Sequence, residues 1–195
     1  MCDNHITKDY IVKRFREIKL WERAALLENC GVVADVKGQR RRLYCKDRFC
    51  PTCGRFPLLR VKDSIKEKTC LMSTLTFPNL SWDKLKAAFR EMQKMWRAEY
   101  RRRRPTGPWI RILHISTGRD GEAHPHFHVL GADMWEWKYC HDIRRVDTAA
   151  AIRYLARPFF LDLSDVHLLH FVRSLDGVRC VSRGTIVKNG QCKSQ

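Results

Sequence analysis

The chain has 195 residues, 44% of them hydrophobic, which suffices for one core with a small appended module and is too short for two full domains. Lys and Arg number 38 against 21 Asp and Glu, a net charge of +17, and this surplus points to a polyanion such as nucleic acid. No apolar run approaches the ~20 residues that cross a bilayer, and "MCDNHITKDY" lacks the basic-then-apolar plan of a leader peptide, so a cytoplasmic protein without membrane partners is expected.

Residues Asp9 to Glu28 read as one amphipathic helix, with Ile11, Phe15, Ile18, Trp21 and Ala25 at helical period. The following "NCGVVADVKGQRRRLYCKDRFCPTCGRFPLLR" is interrupted by Gly, Pro and Cys and suits a segment knotted by a metal. "CLMSTLTFPNL", Cys70 to Leu80, is a β-branched run ended by Pro-Asn. A second amphipathic helix is expected from about Asp83 to Arg101, with Leu85, Phe89, Met92 and Trp96 as its buried stripe. "WIRILHISTG" and "EAHPHFHVLG" are strands joined by a glycine-containing turn, and "HDIRRV" is a short strand. "DTAAAIRYLARP" is a helix capped by Asp147 or Thr148 and stopped by Pro158, and "VRCVS" is a final strand. This order predicts an α+β fold built on an antiparallel sheet.

Nine cysteines is an odd number for a disulfide framework. Cys45, Cys50 and Cys53 lie in "CKDRFCPTC", and Cys30 precedes Cys45 by fourteen intervening residues. Four thiolates form the usual shell of a closed, tetrahedral structural zinc, and the Cys-x2-Cys knuckle turns both its sulfurs inward. The competing reading is a set of unligated thiols, which is how Cys2, Cys70, Cys140, Cys180 and Cys192 are read. A redox Cys-x2-Cys would need a strand-to-helix context that these basic surroundings lack.

In "HPHFHVL", His124, His126 and His128 occupy alternate positions and share one face of a strand. If the hairpin turns near Asp120 and Gly121, opposed residues have numbers summing to roughly 240 to 242, which puts His114 opposite His126 or His128. Opposed β-carbons are ~4.5–5.5 Å apart, so His114, His126 and His128 can converge on a metal that keeps open positions for substrate. The alternative is a histidine-rich surface strand.

Of five tyrosines, Tyr154 stands on a short helix with Ala150 and Ala151 one turn back and Arg157 one turn forward. Such a phenol can serve as a nucleophile toward a phosphodiester, though a tyrosine at helical spacing more often packs in a core. Phosphate contacts are expected from Arg153 and Arg157 and from the run Arg101, Arg102, Arg103 and Arg104.

Several blocks in order resemble the rolling-circle replication initiators of small plasmids and phages, within the HUH endonucleases, where HUH denotes His-hydrophobe-His. "HPHFHVL" is similar to their metal motif, "RFCPTC" to their N-terminal cysteine segment, and "STLTFPN" to their first sheet motif. "HDIRRV" and "IRYLARP" resemble the strand and helix of their tyrosine, and "LDGVRCVSRG" their closing segment. The resemblance covers Cys30 to Gly184. It implies an HUH-type antiparallel sheet flanked by helices, ferredoxin-like in relation, over residues 70–195, with a basic helix and four-cysteine zinc module over residues 1–69.

The resemblance also implies that His126 and His128, with His114, hold Mn or Mg, although imidazole-rich ligation alone favours Zn or Mn over Mg. Tyr154 would attack single-stranded origin DNA, leaving a 5'-phosphotyrosine and a free 3'-OH that a host polymerase extends. Three departures stand out. The interval from His128 to Tyr154 is short, with a helix common in relatives trimmed to "MWEWKYC"; Ala150 stands where some relatives carry a carboxylate, leaving termination to Asp147, another residue or a second subunit, which allows a homodimer; and no GxxxxGK[ST] motif appears, so unwinding falls to a host helicase. Competing readings are a transposase or relaxase with the same chemistry, and a zinc-dependent DNA-binding regulator without catalysis.

Overall fold

The structure, a computed structural model, describes residues 7–60, 62–103, 107–131, 141–156 and 163–184. Thirteen segments matter here. Helix α1 spans Lys8–Glu17 and α2 Trp21–Glu28. Strands β1 (Val33–Val36) and β2 (Gln39–Arg42) form a separate ribbon, and α3 is a single turn, Phe56–Leu59. Then come β3 (Thr69–Thr76), α4 (Leu85–Arg103), β4 (Trp109–Thr117), β5 (Ala123–Gly131), β6 (His141–Asp147), α5 (Thr148–Leu155), α6 (Asp165–Ser174) and β7 (Val181–Gly184). The five-stranded sheet has the order β6-β3-β5-β4-β7, antiparallel throughout.

The expected single helix over Asp9 to Glu28 is two helices. Thr7 caps the first by accepting from the amide of Tyr10 at 3.2 Å. Its end is closed by Leu20 N donating to Phe15 O at 2.8 Å, with Lys19 in the left-handed region at φ 61. The chain then reverses, so the buried stripe changes: Ile11, Phe15 and Ile18 stay inside, Trp21 is 60% exposed, and Ala24 and Leu27 replace Ala25. A continuous helix would have carried the apolar stripe away from the core; the reversal lets both short helices share it.

The α4 stripe of Leu85, Phe89, Met92 and Trp96 is buried as its period predicts. It packs on the sheet face formed by Leu113, Ile115, Phe127 and Val129, with Trp96 edge-on to Phe127 at 6.0 Å between ring centroids. Phe49, from the cysteine segment, stands edge-on to both Phe15 of α1 and Phe171 of α6, at 5.5 and 5.6 Å. The same core cluster thus takes side chains from both sides of position 69. Arg111 is buried on this face between the rings of Trp96 and Phe127, at 4.6 and 4.5 Å, and donates to Gln93 and Ser182 at 2.8 Å. Burial pulls its pKa down to about 9, so it remains a cation at neutral pH, stabilised by the two ring faces.

The other face carries Cys70, Met72, Ile110, Ile112 and Leu130, covered by Ala151 and Leu155 of α5. Because a strand alternates sides, the even-numbered residues of β4 and β5, and so the histidines, lie on this α5 face. Among the described residues, no helix is long and apolar enough to cross a membrane.

Candidate metal and tyrosine centre

The hairpin of β4 and β5 turns at Asp120 and Gly121, where Gly121 adopts φ 75. The register pairs His114 with His126 and Ile112 with His128, at sums of 240. The ligand atoms of His114, His126 and His128 lie within 4.8 Å of one another. His124 shares the strand face but is drawn aside, its Nδ1 2.6 Å from Asn79 Oδ1.

Each imidazole is held in orientation. His126 Nδ1 faces the carbonyl oxygen of His124 at 3.0 Å, so that nitrogen carries the proton and donates, leaving Nε2 with its lone pair. This Nε2 is 2.9 Å from His114 Nδ1. His128 Nδ1 lies 3.2 Å from Thr74 Oγ1, while its buried Nε2 has no hydrogen-bond partner. Thr74 is opposite His128 across the β3–β5 ladder. An outer-shell hydroxyl of this kind aims the ring's far nitrogen.

Burial disfavours protonation of all three rings. His114 falls from 6.5 to about 2, by burial first and then by the proximity of His126 and His128; His126 falls to about 4 and His128 to about 3, each chiefly by burial. Three neutral imidazoles with inward nitrogens, one of them an orphaned buried acceptor, fit a divalent cation. They would hold such an ion on the α5 face of the sheet.

Tyr154 stands on that side. Its ring centroid is 6.3 Å from that of His128, and the side chain is 52% exposed. Helix α5 is fixed at its start by Asp147, whose Oδ1 accepts from Ala150 N at 2.7 Å, and by Thr148 Oγ1 donating to Glu67 O at 2.7 Å. One turn back from Tyr154, Ala150 is exposed, while Ala151 packs inward. Arg153 is exposed on the same helix; Arg157 lies outside the described residues.

Not every predicted residue is gathered here. Arg101 and Arg102 are exposed at the end of α4, on the opposite face of the sheet, and Arg102 pairs with Glu99 at 2.7 Å. The side chain of Arg103 and all of Arg104 lie outside the described residues, as does the shortened segment "MWEWKYC". Conversely, Thr74 and Arg144 were not singled out from sequence. Arg144 shares the histidine face through its pairing with Met72, and its charge helps depress His128. Period-two alternation in "HDIRRV" would have put Arg144 and Asp142 on one face, but only the β3–β6 register says which face that is.

The second cluster is built differently. Cys30, Cys45, Cys50 and Cys53 also bring their sulfurs within 4.8 Å, with Cys30 3.5 Å from both Cys50 and Cys53. These separations are far beyond the ~2.05 Å of a disulfide, and all four are free. Burial pushes the Cys45 and Cys53 thiols up, whereas at Cys30 burial is outweighed by hydrogen bonds from the Cys45 backbone and the neighbouring sulfurs, which pull that thiol down, and four sulfurs so placed could hold a metal ion. The knuckle is tight: a β-carbon at Gly54 would sit 2.1 Å from the carbonyl oxygen of Arg48. A cavity of about 350 Å3 separates this module from the sheet, its wall running from Cys53 and Arg55 past His114 to Ala156.

Fold and site together define an α+β protein with a tyrosine beside a three-histidine cluster, and a four-cysteine cluster apart from it. The chain is similar to a protein named "Protein rep" from Staphylococcus aureus, at 28% identity over 127 residues, covering 54% of this chain and 56% of that protein. The chain therefore spans little more than half the length of this curated relative. No family model and no solved structure matches it.

Proposed function

We propose that the chain is a replication initiator that nicks single-stranded origin DNA through Tyr154. The observation that carries this reading is an exposed tyrosine ring 6.3 Å from a cluster of three neutral histidines, on the face of a basic protein. Similarity to a protein named for replication supports the same reading.

A divalent ion held by His114, His126 and His128 would supply Lewis acidity to a phosphate oxygen. The remaining work falls to the chain. Arg153 and Arg144 flank the site and offset phosphate charge as the backbone approaches. Tyr154 Oη forms a bond to phosphorus as the bond to the 3' oxygen breaks; the phenol gives up one proton and the departing oxygen gains one, leaving a 5'-phosphotyrosine and a 3'-OH. One phosphodiester replaces another, so the same centre can rejoin ends. The four-cysteine cluster holds structural zinc in this reading, and residues 70–195 carry the chemistry.

The test is covalent trapping. Protein with Mn and labelled single-stranded fragments of its own replicon is run on a denaturing gel beside Tyr154→Phe and the His126→Ala/His128→Ala double variant. Wild type is expected to give an adduct that both variants lack, with DNA binding retained in each. An adduct that survives Tyr154→Phe would remove the nucleophile assignment, and none from folded, metal-loaded wild type on any fragment would remove the strand-transfer reading.

A further inference from the structure

The fourteen residues between Cys30 and Cys45 are a ribbon, and its chemistry is separate from that of the tyrosine centre. Strands β1 and β2 pair only with each other in a two-stranded sheet. Their turn places Lys37 at φ 56 and Gly38 at φ 75, the left-handed pair of a type I′ hairpin, and Asp35 Oδ1 accepts from Gly38 N at 2.8 Å. Every residue of β2 is exposed, and β1 is at most half-buried.

The base of this ribbon is clamped. Gly31 N donates to Leu43 O and Leu43 N to Val32 O, each at 2.8 Å, extending the ladder to the residues next to Cys30 and Cys45. Both cysteines belong to the four-sulfur cluster, so the cluster closes the open end of the hairpin. A protein conserves no packing by projecting such an arm; it gains a rigid projection.

The charge on the arm is concentrated, with three arginines and Lys37 against one acid, Asp35, which stands opposite Arg40 and is engaged with the amide of Gly38. Register and alternation put Arg40 and Arg42 on one face and Arg41 with Gln39 on the other. Arg41 donates through Nε and Nη2 to Gln39 Oε1, at 3.2 and 2.6 Å, which holds that pair as a unit. Among the described residues, none of Arg40, Arg41 and Arg42 is in an ion pair.

We propose that the ribbon Val33–Arg42 is a groove-entering arm for double-stranded DNA. Four residues at ~3.3 Å give strands of about 13 Å, and the major groove, about 12 Å wide and 8.5 Å deep, admits a two-stranded ribbon. Arg and Gln are the side chains that bind purine edges there in bidentate fashion. A single strand is bound instead through stacking on aromatic rings, and Val33–Arg42 contains none. The arm then holds duplex beside the sequence that Tyr154 cuts. The inference rests on the DNA-partner reading above but not on the tyrosine chemistry.

Fluorescence anisotropy tests it with two probes: a mixed-sequence duplex of about three helical turns, and one of its strands alone. The full-length variant Arg40→Ala/Arg41→Ala/Arg42→Ala is expected to lose about ten-fold or more in duplex affinity, and its log–log salt slope to fall by about 2 to 3. Single-strand affinity and adduct formation should change less than about three-fold. A charge-matched Lys13→Ala/Lys86→Ala/Lys94→Ala variant controls for net charge and should bind duplex nearly as wild type does. Should the triple variant fail to retain zinc, Arg40→Gln/Arg42→Gln takes its place, with duplex weakening again expected.

Duplex binding unchanged in a folded ribbon variant overturns the proposal. Equal loss on single and double strand, or equal loss in the lysine control, overturns it too. The two readings fail separately: ribbon-dependent duplex binding without an adduct removes nicking and keeps the arm, whereas an adduct with ribbon-independent duplex binding does the reverse.

Discussion

The four cysteines and the three histidines each bring their ligand atoms within 4.8 Å, yet they are supported in opposite ways. The histidines stand on β4 and β5, inner strands of a five-stranded sheet, where the ladder fixes their spacing with or without an ion. The cysteines stand on turns, loop and, for Cys53, the start of a single 3-10 turn, with the exposed ribbon on one side and a single-turn helix on the other. Where the backbone is already bonded, the fold makes the site. Where it is not, the zinc proposed for the cysteines would make the fold.

The largest expected effect follows directly. Cys50→Ser/Cys53→Ser should release zinc and unfold the cysteine segment, because structural zinc binding of about 10–16 kcal/mol is folding energy in small modules. The loss should propagate, since Phe49, next to Cys50, packs against Phe15 and Phe171. Elemental analysis and circular-dichroism melting check both steps. By contrast, the His126→Ala/His128→Ala variant should keep its zinc and its cooperative melt. If wild-type protein binds no zinc, or the cysteine variant melts as wild type does, the contrast between the clusters collapses.

A smaller effect sharpens the same contrast through pH. His114, His126 and His128 have folded pKa values near 2, 4 and 3, below the ordinary 6.5. Between 6.5 and those values the unfolded chain takes up protons that the folded cluster refuses. The resulting stability is present in full above 6.5 and is lost as pH falls toward the folded values. Wild type should therefore lose melting temperature progressively from pH 7 to pH 5, and His126→Gln/His128→Gln should lose less. Equal slopes in the two proteins, at equal zinc content, would mean that the histidines are not held neutral.

How far the sequence revealed this architecture depends on the range of the interactions involved. Local periodicity was enough for α4, whose four stripe residues are all buried, and a turn position narrowed the partner of His114 to His126 or His128, between which the register selects His126. It failed for Asp9 to Glu28, because nothing in the period marks Lys19 as the residue that turns left-handed. The fourteen-residue interval between Cys30 and Cys45 becomes intelligible once those residues are a ribbon. Thr74 and Arg144 could not be read beforehand, since their relation to His128 depends on how β3 pairs with β5 and β6, contacts made across more than fifty residues in one case.

Asp147 brings the comparison to its finest scale. With alanine at position 150, Asp147 is the acid the resemblance leaves for a terminating hydrolysis, and its Oδ1 already accepts from Ala150 N at 2.7 Å as the cap of α5. A capping carboxylate serves position: it fixes the start of the helix that carries Tyr154, two turns on. Removing it by Asp147→Ala should cost about 1 kcal/mol, while Asp147→Ser, which can still cap, should cost little. If the carboxylate acts only by positioning, adduct formation should fall with Ala and recover with Ser. If it also takes a proton in hydrolysis, Ser should restore adduct formation while adducts accumulate unresolved. Chemical denaturation and a time course of adduct decay separate these outcomes, and a Ser variant as unstable as Ala would remove the capping role itself.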